Sequence, residues 1–359
     1  MIFCSLMLLP LLVELGFFLF AQKKLRLQSL LIEMGVQAAI TALMLLCLYY
    51  SDTSDTEILN GKVTQKYSEH VSCEHSYRCH CHMVTHCSGS GKKRSCETDE
   101  ECDTCYEHPW DVDWNVKSSL GTEISIDRVD RRGLEEPPRW AAIQVGEPYS
   151  RTHSYTNYIK ASSDTLFRHQ GLTEKYKDWL PKYPGGIYDY YRLNRLVAVD
   201  TAVPEANLWN ADLSQINADL GAARQVNAVV VVLRGQSREY YSALEQHWIG
   251  GKKNDATLVL DVGPDGKVDW SEVMAWTQDM LFKVKGREDF VGLPLDRTII
   301  LPKFRELIAT HFVRKPMADF AYLRASVTPS MTEWVVAMVI GLAVSIGMCI
   351  FFKENEDSL

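Results

Sequence analysis

Residues Asn227–Leu260, NAVVVVLRGQSREYYSALEQHWIGGKKNDATLVL, decide the fold of this chain. Asn227–Leu233 is a continuous aliphatic, mostly β-branched run, which marks a strand buried on both faces. Ser237–Trp248 reads as a helix opened by a serine cap, with Tyr240, Tyr241, Leu244 and Trp248 as its apolar residues. Gly250-Gly251 ends that helix, and Ala256–Asp261 (ATLVLD) supplies a second buried strand. Strand, helix and strand with tight connections predict a right-handed βαβ unit and a parallel pair. Outward from it, Leu208–Arg224 predicts an amphipathic helix with Leu208, Ala211, Ile216 and Leu220 near one face. Val268–Trp276 extends, and Pro302–Phe312 forms a last helix. Residues 196–328 are therefore an α/β domain.

Upstream, residues 109–195 form a β-rich, aromatic region. Trp110/Val112/Trp114/Val116, Ile124/Ile126 and Ala142–Val145 carry strand patterning, punctuated by Gly121, Gly133, Pro137-Pro138 and Gly146-Glu147-Pro148. Tyr155, Tyr158, Tyr176, Tyr183, Tyr188, Tyr190 and Tyr191 crowd the stretch that follows. They suit either an aromatic interaction surface or a packed layer linking two domains.

Both ends of the chain are apolar. Residues 1–20 and 29–50 flank the basic loop Ala21–Gln28, and Trp334–Phe352 (WVVAMVIGLAVSIGMCIFF) carries no charge. About 20 such residues span a bilayer, so an N-terminal helical hairpin (1–50) and a C-terminal helix (331–353) are expected to anchor the protein. Lys23, Lys24 and Arg26 place the first loop in the cytoplasm, which delivers residues 51–330 to the periplasmic or extracellular side of the inner membrane. Residues 1–20 lack the basic start and small-residue cleavage site of a signal peptide, so a retained helix is expected. Ser51–Thr56 reads as a short spacer. Glu14 and Glu33 fall within the first two helices. Such intramembrane acids mark a functional site, unless they sit shallow enough to reach Lys23, Lys24 or Arg26. Ala337, Gly341 and Ser345 form a small-residue stripe on which the N-terminal pair or a second copy of the protein packs closely.

The content of hydrophobic residues (46%) and nine tryptophans describe an ordered chain, and the net charge of −8 argues against nucleic acid. The partners expected are the lipid bilayer, an envelope protein and a second copy of the chain. No Asn-x-Ser/Thr sequon is present. Within 51–108, Cys73, Cys79, Cys81, Cys87, Cys96, Cys102 and Cys105 are interleaved with His70, His75, His80, His82, His86 and His108. In an oxidising compartment this is a disulfide module standing in for a missing core; in the cytosol it would read as zinc ligands. The expected orientation favours disulfides. Seven is odd, so three bridges leave one thiol, and connectivity stays open. His86–Ser95 resembles the cysteine-phosphatase loop, but six residues separate Cys87 from Arg94, and neighbouring cysteines threaten the thiolate.

Asn227–Leu260 resembles the core of the TPM domain family, shared by thylakoid proteins, a nematode acetylcholine-receptor accessory protein and many bacterial membrane-anchored proteins. Trp248, Gly250, Gly251, Lys252, Asn254 and Asp255 match its helix-ending tryptophan and glycine-lysine turn, and Thr298–Phe304 resembles its later Ile-x-Pro-x-Phe stretch. The combination with a cysteine module is similar to membrane proteins of large bacteriophages. The resemblance implies phosphatase, calcium-binding or receptor- and photosystem-maintenance roles, without assigning a catalytic residue.

One metal motif stands out. Asp261, Asp265, Asp269 and Glu272 occupy positions 1, 5, 9 and 12 of an EF-hand-like loop, with Gly266 at position 6. The preceding strand and Pro264-Asp265-Gly266 suit a hairpin turn as well. No cofactor is called for, with Ca²⁺ the one ion the sequence sketches. Asp200, Asp212 and Asp219 suit a solvated face or an anion or metal site. The expected function is a non-catalytic, membrane-anchored protein acting on an envelope partner. The rivals are a TPM-type hydrolase, Ca²⁺-dependent or not, and a self-assembling structural protein.

Overall fold

The computed structural model describes residues 2–21, 27–88, 95–162, 165, 167 and 171–354. Lys23, Lys24 and Arg26 of the basic loop, Gly89–Arg94 of the phosphatase-like loop and the tail after Glu354 lie outside the described residues.

Helices α1 (Ile2–Ala21) and α2 (Leu27–Thr53) pack on each other and on the final helix, Met331–Glu354. Among the described residues two helices, α2 and Met331–Glu354, are long and apolar enough to cross a membrane, one fewer than the sequence predicts. α1 is a 20-residue helix whose one charged residue is Glu14. No spacer follows α2. The helix runs to Thr53, whose hydroxyl donates to the Tyr49 carbonyl at 2.6 Å, and the chain enters β1 (Ser54–Val71) at the next residue. Ser51–Thr56 is polar because it closes a helix and opens a strand.

β1 is long enough to serve two partners. Its second half pairs antiparallel with β4, and its first half with β6. Between β1 and β4, β2 (Ser76–Ser88) and β3 (Ser95–Tyr106) leave the sheet as a separate hairpin. β4 (Asp111–Ser118) and β5 (Glu123–Ile126) realise the Trp/Val and Ile alternations, and β6 (Pro148–Thr156) completes the order β5-β4-β1-β6. Ala142–Val145 is no strand. Pro138 opens the short helix α3 (Pro138–Ala142), where its missing N–H costs nothing, and Ile143 follows it into the core. The central strand of this sheet thus comes from residues that the sequence divides between spacer and cysteine module.

The helical turns α4 (Tyr158–Ala161) and α5 (Leu172–Lys175) and the hairpin β7 (Ile187–Tyr188) and β8 (Arg192–Leu193) lead into the α/β domain. That domain runs β9 (Leu196–Ala198), α6 (Ala206–Arg224), β10 (Asn227–Arg234), α7 (Glu239–His247), β11 (Asp255–Val262), β12 (Val268–Ala275), α8 (Leu281–Glu288) and α9 (Arg297–His311), before the C-terminal helix α10 (Met331–Glu354). β10 is parallel to β9 and β11, with Asn227 opposite Asp255, and β12 is antiparallel to β11. Alternation in β10 builds two cores. Ala228, Val230 and Val232 pack with Trp209, Leu213, Phe282, Phe304 and Ile308, while Val231 and Leu233 face Tyr240, Leu244, Trp248 and Met274. A strand buried on both faces needs no polar alternation, which is why this run reads as continuous grease.

Two helix starts differ from expectation. α7 begins at Glu239, and the Ser237 hydroxyl is engaged with the Tyr176 hydroxyl at 3.0 Å instead of capping. α9 begins at Arg297 because the Asp296 carboxylate accepts from the Thr298 amide, so Pro302 lies inside the helix.

Sheet and α/β domain meet along β1. Asn60 donates to the Asn217 and Asn227 side chains and to the Val226 carbonyl at 3.0–3.3 Å. The Gly250–Asp255 turn docks beside it: Lys252 pairs with Asp55 at 2.5 Å, Lys253 with Glu57 at 2.9 Å, and the Asn254 amide donates to the Ile58 carbonyl at 2.7 Å. Tyr155 and Tyr183 close the seam through Asp55 and Asp255, whereas Tyr188 and Tyr190 are exposed, so most of the tyrosine cluster is a packed layer. At Gly221 of α6 a β-carbon would lie 2.4 Å from the Asn60 carbonyl oxygen, so only glycine lets helix and strand approach this closely.

Candidate functional site

The hairpin β2–β3 has no core of its own: nearly every residue of β2 is exposed. At about 3.3 Å per residue, β2 spans roughly 40 Å. Cys79–Cys105, Cys81–Cys102 and Cys87–Cys96 bridge its strands, closing nested loops with sequence separations of 26, 21 and 9. Loops of this size stabilise by about 2–4 kcal/mol each, which replaces the missing hydrophobic term. Cys87 is thereby consumed, so no thiolate remains for the phosphatase-like reading. Cys73, the leftover thiol, is buried at the base of the arm. β3 presents Glu97, Asp99, Glu100, Glu101 and Asp103, and Tyr77, Met83 and Tyr106 expose their side chains alongside.

A cavity of about 500 Å³ opens where β6, β8 and α6 meet. Arg195 lines it and is only 1% exposed. Its guanidinium donates to the Leu193 carbonyl at 3.0 Å, to the Ser214 hydroxyl at 3.3 Å, and to the Asn60 and Ser150 side chains. Every acceptor is neutral. Among the described residues no carboxylate pairs with Arg195, and its Nε has no hydrogen-bond partner. Burial pulls its pKa down to about 10. A buried cation without a counter-ion is costly, and an incoming anion would offset that cost. Among the described residues Glu147 is the one acid in the wall, and it is engaged by the Tyr191 hydroxyl. Among the described residues no histidine or cysteine lines the cavity.

The EF-hand-like acids lie on a β-hairpin. Asp261 accepts from the Gln236 amide, Asp265 from the Lys267 amide, and Glu272 pairs with Arg287 at 2.9 Å. Asp269 folds over Gly263, 2.6 Å from where a β-carbon would stand. Among the described residues the four carboxylates do not gather within ligating distance of one another. Asp212 and Asp219 are engaged by Arg297, and by Lys62 and Arg305.

Glu14 and Glu33 are not at the ends of their helices' exposed faces. Both are buried between the helices, and with Cys349 of α10 their ligand atoms lie within 4.8 Å of one another. Ser29, Glu33, Gln37 and Thr41 recur every fourth residue along α2 and form a buried polar seam. Ala337, Gly341 and Ser345 are buried on α10 in the same bundle, so the stripe is taken up within the chain. The i, i+4 spacing on α2 was the signal that could have revealed the seam.

Sequence reasoning missed Arg195, Asn60 and Asn217, which lie in unremarkable polar surroundings. No family model, curated protein or solved structure matches this chain.

Asp255 is the buried acid of the domain seam. Burial raises its pKa to about 6, against hydrogen bonds from Asn227, the Lys252 amide and Tyr183. A carboxyl raised on folding favours the native state most below its unfolded pKa of about 3.9, and that contribution fades as pH rises through about 6. Asp255→Asn is therefore expected to flatten the dependence of unfolding free energy on pH between about pH 4 and pH 6 by about 3 kcal/mol, measured by urea denaturation across that range.

Proposed function

We propose that this chain is a non-catalytic, multi-pass protein of the cytoplasmic membrane that holds residues 51–330 on its periplasmic or extracellular side. There it binds an envelope protein through the β2–β3 arm. The observation that carries this reading is the arm itself: an exposed ribbon ribbed by three disulfides and presenting one acidic strand. A rigid ribbon loses little conformational freedom on binding. The acids of β3 suit a partner with a basic surface, and Tyr77, Met83 and Tyr106 suit its apolar contacts. Helices α1, α2 and α10 would form the anchor, and the α/β layers are compatible with a TPM-like domain serving as a platform. The turn that carries the family resemblance is spent on docking to β1, which fits a scaffold better than a catalyst.

The Arg195 cavity supports a second reading, in which the platform also binds a small carboxylate- or phosphate-bearing ligand. Inorganic phosphate or citrate should then raise the melting temperature of the detergent-solubilised protein, and Arg195→Met should abolish that rise. Equal stabilisation of both proteins counts against the pocket.

For the arm, photo-crosslinking side chains at Tyr77, Met83 and Tyr106 should capture one envelope protein in cell membranes, and raised salt should weaken the capture. The exposed Met280 and Leu281 on the α/β domain serve as controls. Equal capture at the controls would contradict the proposal, as would phosphomonoester hydrolysis abolished by Asp255→Ala or Asp261→Ala.

A further inference from the structure

Cys73 is the cysteine left out of the disulfide ladder, and its surroundings are not those of an idle thiol. Two connectors meet at the base of the arm: Ser72–His75 leaves β1, and Glu107–Trp110 enters β4. They are tied by the Glu107 amide donating to the His75 carbonyl at 3.0 Å. In this junction Cys73 Sγ, a ring nitrogen of His108 and a carboxylate oxygen of Asp111 all lie within 4.8 Å of one another. Cys73 is 4% exposed and Asp111 fully buried.

The hydrogen bonding leaves two of the three ligand atoms, Asp111 Oδ1 and His108 Nε2, without a partner. Asp111 uses only Oδ2, which accepts from the Glu74 amide at 3.1 Å and from Arg128 at 3.3 Å. Its Oδ1 stands 2.9 Å from His108 Nε2, yet out of line for a hydrogen bond, so both atoms are buried without a hydrogen-bond partner. Native proteins rarely leave such atoms idle. Cys73 Sγ accepts from the His75 amide at 3.4 Å and donates to the His75 carbonyl at 3.6 Å, contacts within one turn of chain that hold the sulfur at the junction. The Arg128 contact to Oδ2 orients the carboxylate so that Oδ1 faces His108 Nε2.

We propose that Cys73, His108 and Asp111 bind a zinc ion. A thiolate, an imidazole nitrogen and a carboxylate oxygen make a donor set that suits Zn²⁺ in tetrahedral geometry. His75, whose ring centre lies 6.0 Å from that of His108, is the candidate for the fourth position. Binding releases the thiol proton to solvent, and one thiolate and one carboxylate then balance the charge of the ion. The site explains how a thiol six residues from a disulfide cysteine stays reduced where three disulfides form: a zinc-bound, buried sulfur is withheld from oxidation. It also clamps the two connectors, fixing the direction in which the arm projects. Cys79 and Cys81 have neighbouring His80 and Glu100 as well, but their sulfurs are spent in disulfides.

The test uses the full-length protein in detergent, purified without reductant, with Co²⁺ as the spectroscopic probe and Zn²⁺ as competitor. One equivalent of Co²⁺ should produce a thiolate-to-cobalt charge-transfer band with the visible absorption of tetrahedral cobalt, and Zn²⁺ should bleach both. Cys73→Ser should lose the charge-transfer band, and His108→Gln or Asp111→Asn should weaken Co²⁺ binding at least about tenfold. A readout free of variants is maleimide modification of the wild-type Cys73 peptide, mapped by mass spectrometry, which bound Zn²⁺ should suppress. Absence of a thiolate band, or equal modification of Cys73 with and without Zn²⁺, overturns the proposal and leaves a His108–Asp111 ion pair beside an ordinary buried thiol.

Discussion

The docking of β1 onto the α/β domain is the interaction on which the rest of this structure depends. β1 begins one residue after a membrane-long helix, forms the centre of the first sheet, and presents Asp55, Glu57, Ile58 and Asn60 to the second. The contacts are polar and mostly buried, so each donor and acceptor must find its partner or incur the cost of desolvation. That requirement fixes one geometry. It also leaves Gly221 no room for a side chain and seats Arg195 against Asn60 with neutral acceptors alone. The same residues thus hold the platform together and leave a buried positive charge facing a cavity.

A second constraint follows from the arm. A ribbon without a core cannot persist by hydrophobic burial, and three cross-strand disulfides supply what burial does not. Disulfides need an oxidising compartment, so the chemistry of the arm and the proposed direction of the membrane helices support each other. Cys73, at the root of the arm, is where that chemistry stops.

Legibility in the sequence tracked the range of the interactions. Val229–Val232 and Leu258–Leu260 were readable because burial on both faces leaves a local, unbroken signature. β4 and β5 were readable because alternation is local too. The paired role of β1 was not: its partners lie in β4 and β6, and its polar residues look like those of a spacer. Asn60 finds Asn217 and Asn227 across 157 and 167 residues, and no local pattern announces such contacts. The EF-hand spacing was ambiguous, since acids at loop intervals also fit a hairpin turn, and β11 and β12 do form an antiparallel hairpin with Asp265 at its turn. That one cysteine of seven is left over followed from parity; which one it is follows only from the register of β2 and β3.

Sidedness is the claim that everything functional rests on, and amine labelling measures it directly. Sealed, right-side-out membrane vesicles carrying the protein would be treated with a membrane-impermeant amine reagent and the modified lysines mapped by mass spectrometry. The account predicts modification of lysines within 54–330, such as Lys117 and Lys267, while Lys23, Lys24 and Lys353 stay unmodified until the vesicles are opened. Modification of Lys353 with protection of Lys117 and Lys267 would contradict it.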